Sequence, residues 1–154
     1  FTHIVGGLEK NNETGAISTD PENHNLMTKL RAQKIANIEV PDIEVQGDTE
    51  NADLLIVGFG GTYGHLYSAM EEMNKSGKKT ALAHFEYINP LPKNTADVLK
   101  KYKKTVVVEQ NMGQFAGYLK MKVNKFNPYQ FNEVKGQPFV VEELIKAFTK
   151  IMEE

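Results

Sequence analysis

The segment Leu54–Met73, LLIVGFGGTYGHLYSAMEEM, decides how this chain is read. Its opening, DLLIVGF over 53–59, is a continuous apolar run, the pattern of a strand covered on both faces. Four glycines then fall within residues 58–64. A helical period follows, with Leu66, Met70 and Met73 on one side and Gly77 as its stop. The order strand, glycine turn, helix poses a choice between a phosphate cradle and a tight connection.

A cradle is physically reasonable there. Glycine lets a backbone approach a diphosphate, and a helix N-terminus offers free N–H donors with partial positive charge. The candidate residues are Gly58, Gly60, Gly61, Thr62 and Tyr63. Their spacing does not match a dinucleotide fingerprint, because the third required position falls on Tyr63 and Gly64 comes one residue late. The acid required about 20 residues further on is also missing, Glu86 lying too far along. The spacing therefore favours a tight β–α turn with Thr62 as helix N-cap. The alternative stays open: a stand-alone nucleotide or coenzyme A binding module using Gly58–Gly64, with the lysines of KKYKK (100–104) as its cations.

Outward from this unit the alternation continues. Upstream, Asp20 is an N-cap and Pro21 a first helical residue, followed by the apolar face Leu26, Met27, Leu30, Ile35 and Ile38; Pro41 bounds this helix. IEVQGD (43–48) is an edge-strand candidate. Downstream come strand 80–86, a helix capped by Asn94 and running to about Tyr102, and strand 105–110. Residues 113–126 read as a helix with Phe115, Leu119, Val123 and Phe126 inward, 129–134 as a strand, and 140–152 as a helix with a clean apolar stripe. The pattern predicts an α/β fold with a mostly parallel sheet and right-handed crossovers. Residues 1–19 have turn formers but no period and read as an extended arm, packed only against a neighbour. With the start at Phe1, this suggests a piece of a longer polypeptide: 1–38 an arm and linker helix from a preceding domain, 39–154 the α/β domain.

Composition narrows the function classes. The 154 residues include no cysteine, which removes the usual thiolate ligands of iron–sulfur clusters and structural zinc. A net charge of -2 gives no reason to expect a nucleic-acid partner. No apolar run approaches a membrane span and no leader opens the chain, so a cytoplasmic protein is expected. SGKKT (76–80) lacks the upstream glycine of a P-loop. His3, His24, His65 and His84 lack metal-ligand spacing, and no GxSxG elbow occurs. His84 and Glu86 share one face near a strand end, where open sheets bind ligands; the plainer reading is a polar rim. Glu109, Gln110 and Asn111 also follow a central strand, while Gly113 and Gly117 would permit close helix packing. No catalytic or metal-binding residue is assigned.

Several ordered stretches carry a resemblance. GLEKNNETGAISTDPENH (7–24), ADLLIVGFGGTYG (52–64), HFEYINPLPKNTADVLKKYKKTVVVEQNMGQFAGYL (84–119) and VKGQPFVVEELI (134–145) resemble the C-terminal part of the α subunit of 2-oxoacid:ferredoxin oxidoreductases, the 2-oxoglutarate type most closely. The resemblance implies a transketolase C-terminal-like, Rossmann-like domain of three α/β/α layers. Its five-stranded, mostly parallel sheet would have the order 1-3-2-4-5, with the edge strand antiparallel. It implies a parent complex that uses thiamine diphosphate, Mg2+ and at least one [4Fe–4S] cluster to turn a 2-oxo acid, coenzyme A and ferredoxin into acyl-CoA, CO2 and reduced ferredoxin. The partners implied are the preceding domains of the same α subunit and the β subunit. In such complexes the diphosphate and cluster are held mainly by the β subunit, so this piece is expected to bind no cofactor and to be non-catalytic. It departs from the family at Val140, where a capping threonine is expected, and at Phe59 and Gly61, where tryptophan and serine are frequent. Thr49 replaces the glycine of a diphosphate–metal motif within QGDTEN (46–51), which therefore reads as a surface turn.

Overall fold

A computed structural model describes residues 6–154, which divide into two compact units, one of residues up to 40 and one of residues 41–154. In the first, helix α1 spans Pro21–Ala36, and the Asp20 side chain accepts the Asn23 N–H at 3.0 Å, as an N-cap should. The one buried residue of this helix is polar. Asn23 accepts the Asn12 N–H at 3.0 Å and donates to the Lys10 carbonyl at 2.8 Å.

Those bonds correct the expectation of an extended arm. Lys10 and Ile17 form an antiparallel bridge, and Asn11 Oδ1 accepts the N–H groups of Glu13 and Thr14, both at 3.0 Å. Glu9 accepts two bonds from Arg31, at 3.0 and 3.3 Å, and contacts His24 Nδ1 at 2.8 Å. The segment is a turn tied to α1 by polar groups, which a search for apolar period does not detect. The first five residues of that expectation lie outside the described residues. Leu26, Leu30, Ile35 and Ile38, read as an apolar face, are 36–47% exposed.

The second unit is built on β2 (Leu54–Phe59), whose residues 54–57 are all fully buried. Around it lie β1 (Val45–Gly47), α2 (Tyr63–Lys75), β3 (Thr80–Phe85), α3 (Thr95–Lys101), β4 (Thr105–Glu109), α4 (Gln114–Lys122), β5 (Tyr129–Asn132) and α5 (Val141–Glu153). The five strands run in the order β1-β3-β2-β4-β5. β1 is antiparallel to β3 and the other pairs are parallel. Strand alternation separates two cores. Leu55, Val57, Ala81, Ala83 and Val107 face Leu99 of α3 and Phe115 and Leu119 of α4. Leu54, Ile56, Leu82, Val106 and Val108 face Leu66 and Met70 of α2 and Leu144 and Phe148 of α5. These are the three layers, and the strand order is the one the resemblance implies.

Local chemistry sets the ends. α2 closes with a Schellman motif: Gly77 has φ +85, its N–H reaches the Asn74 carbonyl, and the Lys78 N–H reaches that of Met73. α4 stops a turn earlier than the apolar spacing predicts: its C-cap, Val123, is extended at φ -116, ψ 108, yet stays buried. Asn94 holds the N-cap position of α3 but makes no capping bond. Its amide instead exchanges two hydrogen bonds with the Ile43 backbone, at 2.9 and 3.0 Å, fixing the chain just before β1.

Hydrogen bonds from Arg31 first, and His24 second, hold the Glu9 carboxyl at about 2, below its ordinary 4.5. A carboxyl depressed on folding stabilises the folded state fully above its unfolded value, and this contribution fades as pH falls from about 4.5 towards 2. Carboxyl NMR titration should show Glu9 ionising near 2, and at a higher pH in Arg31→Ala, short of its ordinary value because His24 still contacts it; an unchanged titration in that variant would remove Arg31 as the leading cause.

Candidate functional site

The glycine loop is a short 3-10 turn, Gly60–Thr62, that runs directly into α2. Gly58 lies against that helix: a Cβ there would strike Leu66 Cδ1 and sit 2.9 Å from Thr62 Oγ1. Gly60 has φ +59, a left-handed conformation that a side chain disfavours. Added Cβ atoms at Gly61 and Gly64 would meet nothing within 4 Å. Thr62 corrects its predicted role. It occupies the N-cap position, but its hydroxyl donates to the Phe59 carbonyl at 2.9 Å and accepts nothing from the helix. Capping needs an extended residue, and the preceding turn has already wound Thr62 to φ -83, ψ -12.

The lysines of 100–104 stand at the other end of the sheet. Leu55 pairs with Thr105, so Lys104 is level with Leu54. Phe59, where the glycine loop begins, is five residues further on, about 16 Å at ~3.3 Å per residue. Lys104 Nζ donates to the Ile151 and Met152 carbonyls, at 3.0 and 2.9 Å, closing the last turn of α5. Lys101 pairs with Glu50 at 3.0 Å. The geometry therefore divides the two halves of the nucleotide or coenzyme reading between opposite edges.

At the C-terminal edge a cleft of about 700 Å³ opens beside the loop. The β1 side contributes Asp42, Glu44 and Gln46. Gly60 and Tyr63 form a second wall, and His84, Glu86 and Tyr87 a third. One step beyond the Val45–Ala83 pair of the β1–β3 ladder stand Glu44 and His84. Tyr63 ties two walls together, donating to Gln46 Oε1 at 3.1 Å and meeting the His84 ring edge-on at 5.1 Å. Burial pushes the His84 pKa below its usual value, against the opposing pull of the Gly60 carbonyl, Glu86 and the Phe59 carbonyl. Its Nε2 is buried without a hydrogen-bond partner. Sequence reading found His84, Glu86, Gly60 and Tyr63, but not Asp42 and Glu44. Nothing local announces that the antiparallel edge brings those two alongside.

Glu109 has another role. It is fully buried at the end of β4, and its carboxylate accepts the N–H groups of Phe115 and Ala116 at 2.7 and 2.8 Å. Asn111 Oδ1 accepts those of Gly113 and Gln114 at 2.8 and 3.1 Å. Together they serve four donors at and just before the start of α4, and a carboxylate suits the positive end of that helix. The polar run after β4 is an N-terminal cap. Gly117 leaves open space on α4.

Donors for the cofactors implied above do not converge. No three His, Cys, Asp or Glu side chains among the described residues are placed to hold a metal. Asp48 of QGDTEN accepts the Asn51 N–H at 2.9 Å, closing a turn. The sequence has no cysteine to supply the thiolates of a cluster. No described helix is long and apolar enough to cross a membrane.

Sheet order, layers and the β2–α2 turn define a transketolase C-terminal-like domain, and residues 44–118 match the family described as "Transketolase, C-terminal domain". More particularly, the relatives it is similar to are α subunits of 2-oxoacid:ferredoxin oxidoreductases. It is 42% identical over 142 residues to "2-oxoglutarate oxidoreductase subunit KorA" of Mycobacterium tuberculosis, covering 92% of this chain and 22% of that protein. It is 29% identical over 153 residues to "2-oxoacid:ferredoxin oxidoreductase 1, subunit alpha" of Aeropyrum pernix, covering 94% of this chain and 24% of that one. A solved structure of 2-oxoglutarate:ferredoxin oxidoreductase from Magnetococcus marinus, with 2-oxoglutarate, coenzyme A and succinyl-CoA bound, superposes with a TM-score of 0.83 at 28% identity. That match covers 98% of this chain and 27% of the other. The chain thus spans about a quarter or less of the curated relatives' length, 22–24% in these two.

Two substitutions test these assignments by denaturant unfolding. Gly58→Ala should destabilise by about 1–3 kcal/mol through overpacking against Leu66, whereas Gly61→Ala should stay within about 0.5 kcal/mol. The reverse order would mean the loop is not shaped by packing. Glu109→Gln should cost about 2–3 kcal/mol by turning an amide NH2 towards a backbone donor; an unchanged midpoint would show that the buried carboxylate is not holding α4.

Proposed function

We propose that this chain is a non-catalytic domain of a thiamine diphosphate-dependent 2-oxoacid:ferredoxin oxidoreductase, of the 2-oxoglutarate type, in the cytoplasm. The parent enzyme converts the 2-oxo acid and coenzyme A to acyl-CoA and CO2 and passes electrons to ferredoxin. Residues 39–154 form the α/β scaffold, and residues 1–38 link it to the preceding domain of the α subunit. The observation that carries this reading is the close superposition over nearly the whole chain on a 2-oxoglutarate:ferredoxin oxidoreductase. The 42% identity to a 2-oxoglutarate oxidoreductase subunit supports the choice of substrate class.

The mechanism assigned to this domain is positional. Its sheet edge and helices present surface to the neighbouring domains and the β subunit, which hold the thiamine diphosphate, Mg2+ and iron–sulfur cluster. Thiamine diphosphate supplies the carbanion chemistry of decarboxylation. The residues here keep that machinery in register. Met121, 77% exposed and four residues after Gly117 on α4, and Met112, 80% exposed just before the helix, suit such a contact, since methionine adapts to irregular partners.

Sedimentation velocity of this chain mixed with the β subunit should show a complex, weakened by Gly117→Phe, which places a bulky ring on the open face of α4. A chain that sediments alone at every ratio contradicts the reading, as does 2-oxoglutarate turnover by the chain without partners.

A further inference from the structure

The cleft at the C-terminal edge has a chemistry that the subunit-contact reading does not by itself supply. Three carboxylates line it, Asp42, Glu44 and Glu86, and no lysine or arginine does. None of the three takes part in an ion pair among the described residues. The nearby N-terminus of α2 contributes about half a positive charge, too little to balance three negative ones. A phosphate is disfavoured in such a field. A single metal ion is disfavoured too, because no three ligating side chains converge.

The walls fit a larger cation on an apolar stem. Tyr63 and Tyr87 are 40% and 44% exposed, so aromatic surface remains for a guanidinium or ammonium group even with Tyr63 packed on Tyr67 and His84. Pro41, Ile43 and Pro92 line the apolar part, suited to a methylene chain. A planar guanidinium also makes paired hydrogen bonds to carboxylates, which a lysine cannot match. Beside the cleft, β1 is the edge of the sheet, hydrogen bonded to β3 on one side only. A free edge accepts an extended peptide.

We propose that this cleft docks an extended, arginine-bearing segment of a neighbouring polypeptide, with the guanidinium held by Glu44 and Glu86 between the two tyrosines. The proposal rests on the reading of this chain as a subunit-contact domain and names what the partner brings. It assigns the cleft a recognition role and explains why an open, acidic, aromatic-lined hollow lies beside a loop that fits no phosphate.

The test uses the isotope-labelled chain and blocked peptides of alternating valine and arginine, followed by amide NMR shifts. A control peptide carries citrulline, an uncharged isostere, at each arginine. The arginine peptide should shift Glu44, Gln46, Gly60 and Glu86 saturably, and more weakly as salt rises. Both the citrulline exchange and the double variant Glu44→Gln/Glu86→Gln should weaken binding about tenfold, or ~1.4 kcal/mol. The melting temperature of the variant should not change, since both carboxylates are exposed. No shift at these amides with millimolar arginine peptide, equal binding of the citrulline peptide, or undiminished binding by the variant would each overturn the proposal. Sedimentation with the β subunit keeps the two readings apart. If the chain associates and the double variant associates equally well, the cleft proposal fails while the subunit-contact reading stands; if the chain does not associate at all, the subunit-contact reading fails.

Discussion

The structure of the larger unit depends on one strand being dry on both faces. Leu54, Leu55, Ile56 and Val57 are fully buried in succession, alternating between the two cores. At about 1.5–3 kcal/mol for each such side chain, these four contribute roughly 6–12 kcal/mol, as much as the net stability of an ordinary domain. Both helix layers pack against this strand and its neighbours, and the C-terminal ends of β2 and β3 place the glycine turn and His84. A polar residue at any of the four positions would face a core, whichever way it pointed.

This double burial dictates the shape of the turn that follows. α2 must return at once across the face that Leu54 and Ile56 present, and Leu66 is the first helical side chain to reach it. Gly58 lets Leu66 come that close, and Gly60 bends the chain through a left-handed conformation into the helix. The demand for glycine is met by packing and backbone geometry before any ligand is considered. The lysines that could have completed a phosphate site are already engaged in part, Lys104 at the end of α5 and Lys101 with Glu50.

What could be read from the sequence follows from what is local. β2, α2, β3, β4 and α5 appear within a residue or two of their predicted limits, because each is an apolar run or stripe with its own stop signal. Family resemblance, and not periodicity, supplied the order 1-3-2-4-5 and the antiparallel edge. Polar side chains that work at a distance were misread. Asn94 sits where a cap is expected and binds Ile43 instead; Thr62 sits where a cap is expected and donates backwards; Glu109, at a strand end where ligands bind, caps α4 from five residues upstream. The arm from Glu9 to Ser18 was hidden for the same reason, since Asn23 and Arg31 hold it by hydrogen bonds that leave no mark in hydropathy. The acidic wall at Asp42 and Glu44 needed the β1–β3 pairing to become visible.

The central claim is that the glycines after β2 solve a backbone problem and that the domain serves as a scaffold. Amide NMR titration of the chain with ADP, NAD and coenzyme A, followed at Gly60, Gly61, Thr62 and Tyr63, tests it most directly. The account predicts no saturable movement of these four amides at millimolar ligand. A micromolar dissociation constant read at these amides, and abolished by Gly60→Val in a variant that still folds, would contradict it.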